Sequence, residues 1–171
     1  MENALVTAGT SPEWALGQAA TQDVAISATV PTSCSVGGSV TPSAMTTTLN
    51  TDASGAVSTS AIPLSINRVA CNSTMKLEVT SQSGGVTTHV PAPPGFTNVI
   101  NYTATATIGG ISSTIDTSTN PVATGPEKGN AATATNPIKG SVTLTITPQQ
   151  PTAPLMPGSY SDALTVKITP Q

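Results

Sequence analysis

Where apolar residues cluster in this chain, they alternate with polar ones, which is the period of a β-strand with one buried face. An early example is residues 21–30, TQDVAISATV, where Val24, Ile26, Ala28 and Val30 share one face. No stretch of about ten residues free of Gly and Pro shows the 3.6-residue apolar period of an amphipathic helix. The pattern therefore predicts an all-β protein with almost no helix.

The side chains available for a core and for chemistry are restricted. Of the 171 residues, 2% are aromatic and 8% are charged, and the five basic residues are scattered singly along the sequence. Enzymes and nucleic-acid-binding proteins need convergent ionisable groups. We therefore expect no catalytic activity, no cofactor and no nucleic-acid partner. The single histidine and the isolated acidic residues predict no metal site.

Six principal strands are predicted after Pro31, separated by Gly, Pro and Asn. They cover residues 56–68, 74–81, 99–108, 111–117, 140–147 and 159–169. Gly109 and Gly110 predict a two-residue hairpin turn. Residues 69–73 are expected to form a turn, and residues 120–137, which lack periodicity, a long mobile loop.

Six strands are one fewer than an immunoglobulin-like sandwich needs. The predicted fold is therefore an incomplete immunoglobulin-like β-sandwich of six principal strands, with residues 21–30 as an additional N-terminal strand. A missing strand leaves an apolar groove and an unpaired sheet edge, which must be covered. If residues 21–30 cover their own groove, the protein is a monomer, and if they cover a neighbour's groove, it is a fibre subunit.

The two cysteines, Cys34 and Cys71, lack the spacing and the accompanying ligands of a metal site. A disulfide is the favoured interpretation, and closing a loop of this length would stabilise the fold by about 4 kcal/mol in the chain-entropy model. The alternative is a pair of buried free thiols. A disulfide would indicate an oxidising compartment.

Three segments carry a resemblance to a known family. They are QDVAISATVPTSCSVGG near the N-terminus, LSINRVAC, which brings the second cysteine after the next strand, and GSYSDALTVKITPQ at the end. Together they resemble the major pilins of bacterial chaperone/usher pili. The chain is most similar to the archaic class, which includes spore-coat-U-like subunits, and to the related class 5 fimbriae.

The resemblance implies assembly by donor-strand exchange. Val24, Ile26, Ala28 and Val30 would be the donor residues. The acceptor groove would be walled by the side chains of the last strand, Leu164, Val166 and Ile168. Residues 1–20 would be an N-terminal arm, 21–31 the donor strand and 32–171 the pilin-type sandwich.

The resemblance also implies partners and a location. The partners would be identical subunits in a homopolymeric filament, together with a periplasmic chaperone and an outer-membrane usher during assembly. The filament would reach the bacterial cell surface through the periplasm and support attachment or biofilm formation.

A second hypothesis remains open beside the pilin. The chain could be a monomeric, self-completed immunoglobulin-like sandwich that acts as an adhesin or a carbohydrate-binding module. The exposed aromatic clusters or acidic calcium loops of such modules are not evident in the sequence.

Overall fold

A computed structural model describes residues 25, 27–38, 44–52, 54–119 and 123–171 of the protein. The chain divides into an N-terminal unit, Met1–Val30, and a main unit, Pro31–Gln171. Every strand described below belongs to the main unit. The described residues contain no helix long and apolar enough to cross a membrane.

The described part of the main unit contains short and long β-strands and a single 3-10 turn at Thr117–Thr119. The strands are β1 (Cys34–Ser35), β2 (Ile62–Cys71), β3 (Met75–Ser81), β4 (Val86–Thr87), β5 (Val99–Ile100), β6 (Tyr102–Ile108), β7 (Ile111–Asp116), β8 (Glu127–Lys128), β9 (Ala132–Ala134), β10 (Ile138–Pro148) and β11 (Leu164–Pro170). The long ones are β2, β3, β6, β7, β10 and β11, and each overlaps a predicted strand.

Two antiparallel sheets form the body of the fold. The first has the order β1-β2-β10-β6-β7, and the second has the order β11-β3-β8, with β9 also paired to β3. Strands β4 and β5 form a separate two-stranded ribbon. Buried apolar residues of both sheets meet in one core, so the predicted all-β sandwich is confirmed.

Strict alternation places the core residues. On β3, Met75, Leu77 and Val79 are completely buried between residues that are only half-buried. On β6, Ala104 and Ala106 are completely buried, and their small side chains fit a thin core. Both faces follow directly from the period-two pattern of the sequence.

The hairpin between β6 and β7 has the predicted turn. Ile108 pairs with Ile111, and Gly109 and Gly110 between them have φ angles of 56° and 82°. Two consecutive positive φ angles are required by a tight type I′ turn, which glycine adopts without a steric penalty.

Strand β2 begins and ends later than the alternation predicts, at residues 62–71 instead of 56–68. Its inward face is even-numbered up to Ile66 and odd-numbered from Val69, because a β-bulge opposite Ser141 inserts one extra residue. Arg68, within the bulge, has a φ of 57°. The prediction of a turn at residues 69–73 was therefore wrong, since the strand continues through Cys71 and turns only afterwards.

The prediction of a long mobile loop at residues 120–137 was also wrong over much of its length. Strands β8 and β9 lie within it, and both pair with β3. Between them, the Gly129 N–H donates to the Val79 carbonyl at 2.8 Å, and the Asn130 N–H donates to the Thr114 carbonyl at 3.1 Å. This segment is an integral part of the sandwich.

Gly129→Ala is expected to destabilise the protein, because a Cβ at this position would overlap the backbone carbonyl of Thr114. Overpacking of this kind costs about 1–3 kcal/mol. The matched control is Gly140→Ala, since a Cβ at Gly140 meets nothing within 4 Å. Urea denaturation of both variants measures the difference, and equal unfolding free energies would contradict the placement of Gly129 against β7.

Candidate functional site

Strand β11 is an edge strand with one open side. Its neighbour is β3, and in the part of the chain that the structure describes no strand pairs with its other side. The Ala163 carbonyl accepts from Gln82 at 2.9 Å, and the Gln171 N–H donates to Thr74 at 2.8 Å, so odd-numbered residues bond toward β3. Because backbone groups of an extended strand point alternately to its two sides, those of Leu164 and Val166 point to the open side.

A second open edge belongs to β2. One side of this strand pairs with β10 along most of its length, and the other pairs with β1 only at Ala70 and Cys71. Gly37 and Gly38 extend that contact by donating to the carbonyls of Asn67 and Arg68. Beyond them, the described residues place no strand along the rest of this edge.

The two open edges border a groove of about 1530 Å³. Leu64 and Ile66 of β2 and Leu164 and Val166 of β11 line it from the two sheets. Further lining comes from the strands beneath and from the segment that precedes β2. These further apolar lining residues include Leu49, Val86, Ile100, Tyr102, Leu144, Ile146, Leu155, Met156 and Tyr160.

The apolar side chains at the two edges are incompletely buried. Leu64, Ile66, Leu164 and Val166 are half-buried and pack against the core, whereas the inward residues of β3 are completely buried. Full burial of a Leu, Ile or Val side chain contributes about 1.5–3 kcal/mol. Part of that stabilisation is still available to an occupant of the groove.

The predicted acceptor residues lie at different places along β11. Leu164 and Val166 line the groove. Ile168 is half-buried and packs against the core, but it is not part of the groove lining. Sequence reasoning did not identify the opposite wall on β2, because no pattern within a strand reveals which distant strand it will face.

Of the predicted donor residues, Ala28 and Val30 are described. Both are exposed and outside any strand, and the exposed fraction of Val30 is 78%. Val24 and Ile26 lie outside the described residues.

The predicted disulfide is present in the structure. Cys34 and Cys71 are paired residues of β1 and β2 with a Cα–Cα distance of 4.1 Å, and their sulfur atoms are bonded. The bond fixes the start of the main unit to the end of β2. The bond therefore attaches the first residues of the main unit, which follow Val30, to the sandwich.

A partly buried polar network contributes to the lining of the groove. The Tyr102 hydroxyl and the Ser81 hydroxyl each donate to Asp162 Oδ2 at 2.6 Å. The backbone N–H groups of Ser83 and Ala163 donate to Oδ1 at 2.9 and 2.8 Å. Asp162 therefore ties the start of β11 to β3 and β6, a role that the sequence did not indicate beyond a turn residue.

The network changes the acidity of Tyr102. Burial is the main cause that raises the pKa of its phenol well above the usual value, and the hydrogen bond to the Asp162 carboxylate raises it further. The Ser81 hydroxyl acts in the opposite direction. Burial also raises the pKa of Tyr160, whose hydroxyl donates to the Met156 carbonyl at 2.8 Å.

Other ionisable side chains in the described residues have local roles. Asp52 accepts bonds from the hydroxyl and N–H of Ser54 and the N–H of Ala56, which hold the pKa of its carboxyl below the usual value. Among the residues that the structure describes, no three His, Cys, Asp or Glu side chains are placed to hold a metal ion.

No protein-family model matches the chain, and no curated protein or solved structure is significantly similar to it.

The Tyr160→Phe variant, in which Tyr102 is the only phenol, is expected to resist alkaline ionisation while folded. The folded state binds the phenolic proton of Tyr102 more tightly than the unfolded state does. The stability that this proton contributes is therefore complete below pH ~10 and is lost as the pH rises above that value. The ultraviolet absorbance of tyrosinate should therefore appear together with unfolding. In guanidinium chloride the same phenol should titrate near pH 10. Ionisation near pH 10 with an intact circular dichroism spectrum would contradict this environment.

Proposed function

We propose that the protein is the structural subunit of an extracellular pilus that polymerises by donor-strand exchange. The observation that carries the proposal is the groove between the open edges of β2 and β11, with half-buried apolar side chains along both. Such a groove has the shape and chemistry of a missing strand of a sandwich. In this proposal the fold is an immunoglobulin-like sandwich that lacks its last strand.

Residues 21–30 of a second copy are the proposed occupant. Their apolar face, formed by Val24, Ile26, Ala28 and Val30, complements an apolar groove, and their other face is polar. Strand addition of this kind combines main-chain hydrogen bonds, which supply strength, with alternate side chains, which supply specificity. The exposure of Ala28 and Val30 in the described residues supports their availability to a partner.

The energetics support a durable joint. Burial of Val24, Ile26 and Val30 contributes about 1.5–3 kcal/mol each. Each main-chain hydrogen bond adds about 0.5–1.5 kcal/mol net. Dissociation would expose the acceptor core again, so we expect it to be slow as well as unfavourable.

The same joint determines the kind of assembly. Because the donor of one copy enters the acceptor groove of the next, the interface is heterologous and forms an open filament of identical subunits. Before assembly the groove would need a temporary occupant, the role of a periplasmic chaperone, and an outer-membrane usher would exchange it for the next donor strand. The Cys34–Cys71 disulfide is compatible with passage through an oxidising periplasm to the cell surface.

Ile26→Asp tests donation of the strand. A carboxylate on the apolar face of the donor would be buried without a partner, which costs several kcal/mol. Electron microscopy of negatively stained protein should therefore show filaments for the wild type and none for the variant. The matched control is Ser27→Asp, on the polar face of the same stretch, which should form filaments.

Mixing separates donation to a neighbour from self-completion. A variant with an intact groove accepts one wild-type strand but cannot donate, so it should shorten wild-type filaments in proportion to its fraction. If the wild type is instead a monomer that forms no filaments, and the Ile26→Asp substitution unfolds that monomer, the strand completes its own sandwich. The monomeric adhesin or carbohydrate-binding module then becomes the better description.

A further inference from the structure

Lysines that are scattered along the sequence come together on the outer face of the second sheet. Lys167 of β11 pairs in register with Glu78 of β3, and Lys128 of β8 pairs with Thr80. Lys76 Nζ lies 3.0 Å from Glu78 Oε1, so the carboxylate of Glu78 is already engaged. Among the described residues, Lys167 makes no ion pair of its own.

Lys167 lies at the open edge, where a donated strand would pair. It is the only charged residue of β11. Asp23 is likewise the only charged residue of residues 21–30, and it belongs to the polar face of that stretch. When a strand is added to β11 with its apolar face inward, Asp23 and Lys167 share the outer face of the enlarged sheet.

The extent of the groove distinguishes the two possible strand directions. With Asp23 beside Lys167 in a parallel pair, Ile26 would lie beside Pro170, where β11 ends, and most of the groove would stay uncovered. In an antiparallel pair, the donor instead runs along the groove. The apolar donor positions then face the inward positions as Val24 with Val166, Ile26 with Leu164, Ala28 with Asp162, and Val30 with Tyr160.

This antiparallel register agrees with the groove in two respects. Tyr160, Asp162, Leu164 and Val166 all line the groove, whereas Ile168, the next inward residue, does not. The smallest donor side chain, Ala28, lies opposite Asp162. There the side chains of Tyr102 and Ser81, which donate hydrogen bonds to Asp162, already occupy the interior.

We propose that Asp23 of one copy lies directly opposite Lys167 of the next copy, and that this contact sets the register in which residues 21–30 pair with β11. This register rests on the proposed strand donation and specifies which residues meet. The even-numbered residues of β11 present their backbone groups to the groove, so Asp23 and Lys167 form a non-hydrogen-bonded pair, in which opposing side chains are closest. The ion pair favours this register over slips by two residues, which would keep the apolar face inward.

Cysteine cross-linking of assembled full-length filaments tests the register. Ala25→Cys with Thr165→Cys places two cysteines directly opposite each other, at a distance that a disulfide spans. Two control pairs, Ala25→Cys with Ala163→Cys and Ser27→Cys with Thr165→Cys, correspond to slips of two residues in either direction. In the proposed register the control cysteines are diagonal neighbours about 7–8 Å apart, too far for an unstrained bond.

Mild oxidation should convert the first pair into a ladder of covalent multimers on non-reducing gels, and the control pairs should give little. Cross-linking of a control pair instead would overturn the register while leaving strand donation intact. Filaments in which none of the pairs cross-link would overturn pairing with β11. Absence of filaments from the wild-type chain would overturn the proposed function, and the register with it.

A charge exchange tests the ion pair by a separate readout. Asp23→Lys should raise the protein concentration needed for filament formation by about three- to fivefold, the scale expected for an exposed ion pair. Adding Lys167→Asp should restore the wild-type value, whereas adding Lys128→Asp, which lies away from the open edge, should not. The differences should diminish at high salt. Equal restoration by both second substitutions would show a general charge effect and overturn the specific pair.

Discussion

Main-chain hydrogen bonding along β11 is the interaction on which the rest of the structure depends. On one side β11 pairs with β3 over its whole length, from Leu164 opposite Ser81 to Pro170 opposite Met75. On the open side, the backbone groups of its even-numbered residues have no strand partner among the described residues. Burial differs in the same way between these two strands, because β3 has strands on both sides and β11 has a strand on one side only. Val79 of β3 is therefore completely buried, while its partner Val166 is half-buried.

The sequence predicts the elements whose alternation is uninterrupted. The inward face of β6, the Gly109–Gly110 turn and the long strands near the C-terminus all follow from period-two patterns and turn chemistry. The bulge at Arg68 could not be predicted, because it changes which residues face inward in the middle of a strand. Strands β8 and β9 were missed for a different reason. They are short and poor in large apolar residues, and they depend on backbone bonds such as that from Gly129 to Val79.

The same distinction applies to the groove. Alternation in the last strand identifies Leu164 and Val166, since inward positions can be inferred within one strand. The opposite wall, Leu64 and Ile66, and the network of Tyr102 and Asp162 require knowledge of which strands become neighbours. Lys167 illustrates the limitation most clearly. Isolated in sequence, it lies within a group of lysines only because β3, β8 and β11 pair.

In a filament of this protein, force would pass from the N-terminal unit to the main unit through the residues that connect them. Pro31 lacks a backbone N–H and therefore cannot donate a main-chain hydrogen bond to a neighbouring strand. From there the chain is fixed to the end of β2: Asn72 Nδ2 donates to the Pro31 carbonyl at 2.8 Å, and the Ser33 N–H donates to Asn72 Oδ1 at 2.7 Å. The next residue, Cys34, is bonded covalently to Cys71. In the proposed filament, tension on the donated strand of one subunit would reach its own body through residues 31–33. The Asn72 hydrogen bonds and the disulfide would carry that load before the core did, because they lie first along the covalent path.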